Sequence, residues 1–372
     1  MLIFSIESSC DETSCAVVEM SGTERKIHSN VVFSQIDTHA LYGGVVPEIA
    51  SRAHIEKISS VAKEAFTKSG FEPKDMDAIA VTYSPGLIGP LLVGVNFAKA
   101  LASSLAIPLV PVDHIKGHTA AAYLSHPELE TPFLALVVSG GHTSVYKVDS
   151  PCSFEEIAST RDDAAGEAFD KVGRVMGLPY PGGAAMDRLA SVGFENIKSG
   201  FKSKLKFPSP AIPGDTLDFS FSGLKTYAVN AVHTERQRLG LDEKSPLPEE
   251  FRAEVAAGFT EAVVTGICTK LEKVIKEGDV KRLVLAGGVA ANSHLRQGIS
   301  SLAKKHGISL YTPPLSLCGD NAAMIGAQGY FEYMGGALAD SSLNAFASED
   351  AAYDARVKGT DGIKITRHNE KN

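Results

Sequence analysis

The sequence predicts an α/β protein of two lobes with mixed sheets, on three observations. Short apolar runs alternate with stretches of helical periodicity along most of the chain. A layout of strand, small polar turn and strand occurs twice, over residues 2–18 and over 132–148, without a residue-level repeat. The chain has 372 residues, enough to bury two cores. A boundary near 125–131 gives a first lobe over 1–128 and a second over 129–335. The second is interrupted by a Lys-, Pro- and Ser-richer insertion near 191–250, and a polar tail follows over 336–372.

The elements follow in order. The run through Ile6 and the run from Ser14 to Val18 read as strands around the polar turn 7–13, and a third strand covers Ile27 to Ser34. Helical periodicity covers Ile55 to Ser69 and stops at Gly70. Ala78 to Thr82 is a buried strand, and the small-residue run Leu91 to Leu105 is a tightly packed helix. Leu109 to Val112 is a strand leading directly into a helix that begins at His114. After residue 131 come strands at Pro132 to Val138 and Ser144 to Val148, helices at Asp163 to Met176 and Phe251 to Lys276, a strand at Lys281 to Leu285 and a helix at Asn321 to Met334.

Composition excludes several classes. A chain 44% hydrophobic and 22% charged is not disordered. No apolar run reads as membrane-spanning, and the strand-like N-terminus lacks the basic region of a signal peptide. Cys10, Cys15, Cys152, Cys268 and Cys318 are odd in number and form no CxxC, which fits a reducing cytoplasm and no membrane. A net charge of −8 argues against wrapping nucleic acid by bulk electrostatics. Lys198, Lys202, Lys204 and Lys206 form the densest basic patch, either a solvated face or a phosphate contact.

The chemistry concentrates in a few blocks. His114 and His118, at i and i+4 on one helix face, can hold one metal ion. The HExxH pattern of zinc peptidases places a Glu beside the first His, and here that place holds Ile115. A third ligand is needed, and Asp320 is preferred over Cys318, although Asp320 also reads as the cap of the helix behind it. Two imidazoles and one carboxylate suit Fe(II) or Zn(II). Three glycine-rich turns accompany the pair: Ser139-Gly140-Gly141, Pro181-Gly182-Gly183 and Gly287-Gly288. Adjacent glycines permit positive φ and close approach of N–H groups to an anion, but a hairpin turn uses glycine too. Asn292, in the first turns of the helix after Gly288, could read an adenine or ribose edge. Glu7, Asp11 and Glu12 crowd one turn, either solvating it or serving a metal-bound water or as general base, with Asp11 or Glu12 as the candidate proton acceptor. Asp163, Glu167, Asp170 and Lys171 share one helical face, for salt bridging or for a ligand hydroxyl.

Ten colinear blocks together resemble one family. They are IESSCDETS (6–14), GGVVPEIASRAH (43–54), SPGLIGPLLVG (84–94), HIKGH (114–118), VSGGHT (138–143), DDAAGEAFDKV (162–172), PYPGG (179–183), FSFSGLKT (219–226), AGGVAAN (286–292) and DNAAM (320–324). They are similar to those of the universal tRNA threonylcarbamoyladenosine transferases of the bacterial TsaD type. The resemblance implies the actin/Hsp70/sugar-kinase architecture, two RNase-H-like lobes with a cleft between them. It implies transfer of a threonylcarbamoyl group from threonylcarbamoyl-AMP to N6 of the adenosine 3′ of the anticodon, position 37, in tRNAs reading ANN codons. Carried onto this chain, it implies His114, His118 and Asp320 as metal ligands, with iron favoured and zinc also accepted. It implies Val137, Val138, Ser139, Gly140, Gly141, Asp170, Gly183 and Asn292 as adenylate contacts, and Asp187 as a further substrate contact. Partners implied are tRNA, a metal-site-lacking paralogue of the TsaB type and a small ATPase of the TsaE type. Two positions depart from the family pattern: Ile115-Lys116 stands for the usual Ala-Glu between the histidines, and Gly319 stands for a Thr before Asp320. The rival readings are an ATPase or kinase of the same architecture, against which the histidine pair argues, and a metalloendopeptidase, against which the missing HExxH argues.

Overall fold

The computed structural model describes residues 1–365 apart from 23, 211, 213, 215 and 244. In chain order the elements are β1 (Leu2–Glu7), β2 (Glu12–Met20), β3 (Arg25–Ser34), α1 (Ile36–Ala40), α2 (Pro47–Ser69), β4 (Ala78–Ser84), α3 (Ile88–Leu105), β5 (Leu109–Asp113) and α4 (His114–Ser125). They continue with β6 (Phe133–Val138), β7 (Thr143–Ser150), β8 (Ser153–Ser159), α5 (Ala165–Val175), α6 (Gly182–Lys198), α7 (Ser222–Leu239), α8 (Glu249–Glu277) and β9 (Arg282–Ala286). The last are α9 (Ser293–His306), β10 (Ser309–Tyr311), α10 (Ala322–Met334), β11 (Ala337–Ala339), α11 (Glu349–Val357) and β12 (Ile363–Ile365).

Two compact units emerge. The first comprises Met1–Thr131, Val148–Phe154 and Pro313–Asn372; the second comprises Pro132–Lys147 and Glu155–Thr312. The first unit carries a seven-stranded sheet in the order β12-β11-β5-β4-β1-β2-β3. It is mixed: β1 runs antiparallel to β2 and parallel to β4, and β4 runs parallel to β5. Side chains alternate across β1 as the pleat requires. Phe4 and Ile6 enter a core with Ile58 and Ala62 of α2 and with Leu91 and Val95 of α3. Ser5 points the other way, and its hydroxyl donates to the Ala322 carbonyl at the start of α10. Helix α10 lies close on that second face, because a Cβ at Gly326 would be 2.4 Å from Val18 Cγ2. Helix α4 in turn presses on α10 at Gly117, where a Cβ would be 2.7 Å from Ile325 Cδ1. That contact sets α4 against the N-terminal end of α10.

The second unit carries a five-stranded sheet in the order β10-β9-β6-β7-β8, with β6, β9 and β10 parallel. Both sheets share one order, since β3-β2-β1-β4-β5 maps onto β8-β7-β6-β9-β10. The repeated layout in the sequence is therefore a repeated architecture. Strand β6 is buried throughout, as its unbroken apolar run FLALVV demands.

Several elements differ from the sequence expectation. Helix α2 starts eight residues early, with Pro47 in its first turn. Helix α6 occupies 182–198, so the glycines of the Pro181 block open a helix and do not form a free turn. The sequence layout continues the second lobe to 335, whereas the contacts place residues from 313 onward in the first unit, where α10 covers β1 and β2. Nor is the segment after 335 a loose tail: β11 and β12 extend the first sheet, and Leu343, Ala345 and Ala352 join its core. Positions 366–372 of the expected tail lie outside the described residues. Helix α3 is, among the described residues, one helix long and apolar enough to cross a bilayer; its Leu91, Val95, Ala98 and Ala102 are buried in the first core. Asp163 precedes α5 and so does not share a helical face with Glu167. Its carboxylate instead gathers Lys171 Nζ at 2.7 Å, Ser222 Oγ at 2.8 Å and the Lys225 ammonium, tying α7 to α5.

Burial works against the charge on Asp163, but its lysine and serine donors outweigh that and hold the carboxyl at about 2. A depressed folded pKa contributes stability above the ordinary carboxyl pKa and loses it as pH falls through the folded value. The Tm gap between wild type and Asp163→Asn should therefore be present at pH 7 and shrink as pH falls from about 4 to about 2. Melting curves across that range check it, and a pH-independent gap would contradict the ion-pair account.

Candidate functional site

The first unit assembles a donor set from three elements. Asp113 ends β5 and caps α4, accepting from the Ile115 and Lys116 amides at 2.9 and 3.1 Å. The cap puts His114 at the first helical position and His118 one turn on. Their rings lie 4.6 Å apart, centre to centre. Asp320 comes from the segment before α10, with Oδ1 3.2 Å from His118 Nε2 and 3.6 Å from His114 Nε2. Ligand atoms of His114, His118 and Asp320 all lie within 4.8 Å of one another. The competing reading of Asp320 as a helix cap does not hold. Asn321 caps α10, its Oδ1 accepting from the Met324 amide at 3.1 Å.

His114 is oriented from behind. Its Nδ1 lies 2.9 Å from Glu7 Oε2 and 3.2 Å from Ser9 Oγ. Glu7 is fully buried, and it also accepts from the Ser9 amide at 2.5 Å and Thr82 Oγ1 at 2.6 Å. With the Nδ1 proton committed to Glu7, Nε2 is left toward Asp320. Burial works to lower the His114 pKa, and the Glu7 and Asp320 carboxylates outweigh it, raising the ring to about 9. Burial alone would raise Glu7, and His114 outweighs it to bring the carboxyl down. Two carboxylates around two imidazoles thus call for positive charge at this point.

His118 supplies the test of fit. Both its ring nitrogens are buried without a hydrogen-bond partner, the Asp320 oxygen at 3.2 Å being out of line for one. A buried orphan polar atom costs about 1–3 kcal/mol, which a coordinate bond would offset. Two imidazoles and a carboxylate suit a divalent cation. The site can hold one.

The remaining acidic residues of the first turn do other work. Glu12 accepts from Ser34 Oγ at 3.0 Å and shares a hydrogen bond with Asp11. Burial, then the charges of Asp320 and Asp11, push Glu12 up to about 10. Lys116 is turned from the donor set: its Nζ donates to the Cys152 carbonyl at 3.1 Å and pairs with Glu332 at 3.5 Å.

The second unit gathers the other sequence candidates. Val137 and Val138 end β6 fully buried, and Ser139 closes the turn by donating from its amide to the His142 carbonyl at 2.8 Å. Gly140 and Gly141 do not adopt positive φ; what distinguishes them is open space where side chains would stand. Positive φ occurs at Gly287 (φ 93), where a Cβ would be 2.4 Å from the Val138 carbonyl oxygen. Helix α5 abuts the turn, the Gly166 amide donating to Ser139 O at 3.3 Å. Asp170 accepts from the Gly182 amide at 2.7 Å, which fixes the start of α6, and Gly183 beside it faces open space. Asn292 caps α9 by accepting from the Leu295 amide at 2.9 Å, so its Oδ1 is committed. Asp187 is held by Ser293 Oγ at 3.0 Å and His294 Nδ1 at 2.7 Å. Sequence reasoning missed these last two partners. It missed Asp113 and Asn321 as caps too, although Asp before the first helical residue and Asn before Ala322 were signals that could have found them.

The chain is similar to known proteins along most of its length. Residues 26–327 match the sequence model of the family described as TsaD, tRNA N6-adenosine threonylcarbamoyltransferase. The protein of that name from Clostridioides difficile (strain 630) is 47% identical over 346 residues, covering 93% of this chain and 97% of its own. That from Clostridium perfringens (strain 13 / Type A) is 48% identical over 345 residues, covering 92% and 96%. Among solved structures, HypF from T. kodakarensis superposes with a TM-score of 0.56 at 15% identity, over 90% of this chain and 47% of that one, a likeness of fold alone.

Divalent metal should raise Tm, by about 2.7 kcal/mol of stabilisation at 100 times Kd. In His118→Leu the metal-dependent shift should vanish while the metal-free Tm holds or rises, since a buried orphan donor is removed. Glu7→Gln should weaken metal binding by about 10–100-fold with the fold intact. Calorimetric titration and melting curves check both, and an undiminished shift in His118→Leu would remove this residue from the donor set.

Proposed function

The chain belongs to the tRNA N6-adenosine threonylcarbamoyltransferase family, and from that premise we propose that it transfers the threonylcarbamoyl group of threonylcarbamoyl-AMP to N6 of adenosine 37 in tRNAs reading ANN codons. The observation that carries this reading beyond family membership is the convergence of His114, His118 and Asp320 around the orphan His118 nitrogens. A kinase or ATPase of the same architecture would have no use for a buried imidazole pair braced by a carboxylate. A peptidase would need the base that Ile115 does not provide.

The reaction forms a bond between N6 of adenosine and the carbamoyl carbon and breaks the mixed anhydride, so that AMP departs with the bonding pair and N6 loses a proton. A divalent cation, for which the donor set suits iron or zinc and the family resemblance favours iron, would supply Lewis acidity at the acyl end. Glu7 keeps His114 in the tautomer that offers Nε2. Asp11 or Glu12, which share a hydrogen bond, would accept the N6 proton. In the second unit, amides of the 139–141 turn would receive the phosphate, since no side chain obstructs Gly140 and Gly141. Asp187, fixed by Ser293 and His294, would take a ribose hydroxyl. An exocyclic aromatic amine is a poor nucleophile, so alignment carries much of the rate, with effective molarities of order 10⁵ M available to well-placed groups. The same premise brings the TsaB-type paralogue and the TsaE-type ATPase as partners and the cytoplasm as the location.

With the purified components and tRNA, His118→Ala and Asp320→Ala should each abolish threonylcarbamoyladenosine formation while leaving the fold intact. Nucleoside mass spectrometry reads the product directly. Modification retained by either variant would overturn the metal-centred reading, and ATP turnover that persists without tRNA and ignores His114→Ala would favour a kinase-like function.

A further inference from the structure

The segment 199–210 of the second unit crosses α8 without forming an element of its own, yet it is anchored along its length. Glu254 of α8, a buried carboxylate, accepts through one oxygen from Ser203 Oγ at 2.8 Å and from the Lys204 and Leu205 amides at 2.6 and 3.1 Å. Tyr227 of α7 accepts from the Lys206 amide at 3.0 Å. Phe207 lies against Gly258 and Pro210 against Gly266, where a Cβ would come within 2.6 and 2.3 Å of their rings. Interior glycines weaken a helix, and α8 carries both where the segment presses on it.

The anchoring fixes a display. Leu205 and Phe207 turn inward, while Lys202, Lys204 and Lys206 are exposed. In extended chain, residues two apart recur every ~7 Å on one side. Among the described residues no ion pair engages the ammonium groups of these three lysines. Nearby cations behave differently: Lys198 pairs with Glu195, and Arg238 with Glu235. Beside the row lies a groove of about 750 Å³ lined by Phe201, Leu205, Tyr227, Phe251, Asn230 and Thr234. A spaced row of exposed cations next to aromatic rings is the arrangement that holds single-stranded nucleic acid, phosphates on the lysines and a base on the rings. On a chain of net charge −8, bulk attraction cannot do this, and a local row must.

We propose that the anchored 202–206 lysine row and the adjoining aromatic groove form a docking surface for an unpaired stretch of the tRNA substrate. The proposal rests on the transfer reading above and adds to it where RNA lies on the second unit. Three carboxylates also line the groove: Glu254 takes three donors of the segment on one oxygen, Glu235 pairs with Arg238 and lies within reach of the Lys204 charge, and Glu250 stands at the rim.

The test measures tRNA binding to the full chain over a salt series for wild type, a K202A/K204A/K206A triple variant and F251A. The lysine ammonium groups anchor nothing, so the triple variant should keep its Tm. It should lose about tenfold or more in affinity, with the slope of log K against log salt shallower by about 2, three single-strand phosphate contacts at roughly 0.7 each. Its KM for tRNA should rise while KM for the adenylate stays. F251A should lose affinity several-fold with the slope unchanged. An unchanged affinity and slope in the triple variant overturns the surface. An unchanged F251A overturns the base pocket. Failure of the wild type itself to bind or modify tRNA would instead overturn the transfer reading, so the two failures are told apart.

Discussion

A carboxylate buried at the end of β1 constrains the first unit more than any other group. Glu7 is wholly out of water, and an ionised carboxyl there is tolerable only if its oxygens are filled. The Ser9 amide, the Thr82 hydroxyl and His114 Nδ1 fill them, and these come from the turn after β1, from β4 and from α4. Each partner fixes the register of its own element. The turn must fold back at residue 9, β4 must bring Thr82 alongside, and α4 must begin directly at the end of β5. What looks like a metal-site detail is also the reason these three segments meet in one way. Its charge carries outward: with Asp320 it raises the His114 ring to about 9 against the effect of burial, so the site favours positive charge.

The second requirement is closeness. Asp320 reaches His118 only because α10 lies flat on the sheet at Gly326 and α4 lies flat on α10 at Gly117. A methyl at Gly326 would meet Val18 and Ser5 of the sheet, and one at Gly117 would meet the tip of Ile325. The segment before α10 is then pinned by its own polar contacts: Ser14 Oγ takes the Ala322 amide at 2.8 Å, and Asn321 Nδ2 donates to the Gly319 carbonyl at 2.8 Å. Rigid backbone, not the imidazoles, positions the third donor.

Much of this was legible in the sequence. The strands, most of the helices and the repeated strand-turn-strand layout follow from periodicity and turn residues, and the histidine pair from its spacing, whereas that spacing does not point to Asp320. What was not legible depends on tertiary contact. Nothing local says that residues 313–365 return to the first unit, because that assignment is made by α10 packing on β1 and by β11 pairing with β5. Helix α6 was hidden behind Pro181-Gly182-Gly183, residues that read as a turn until Asp170 takes the Gly182 amide. Glu7 was grouped with Asp11 and Glu12 by proximity in sequence. Glu7 ends β1 whereas Glu12 opens β2 across the turn, and it is the Glu7 carboxylate that reaches His114 Nδ1.

The two departures from the family pattern are absorbed by the same logic. Lys116 follows His114 by two positions, which on a helix turns it well away from the face of His114 and His118. Its ammonium reaches the Cys152 carbonyl and Glu332, and Glu332 also takes Gln328 Nε2 at 2.9 Å. The substituted charge is therefore spent joining α4, α10 and the turn after β7, and it does not stand beside the donor set. At position 319 the missing hydroxyl could have braced Asp320. The brace is instead the backbone carbonyl of Gly319 held by Asn321, which needs no side chain at 319. A residue whose role is carried by its peptide group can change its side chain without moving the ligand that follows it. The donor set therefore survives both departures.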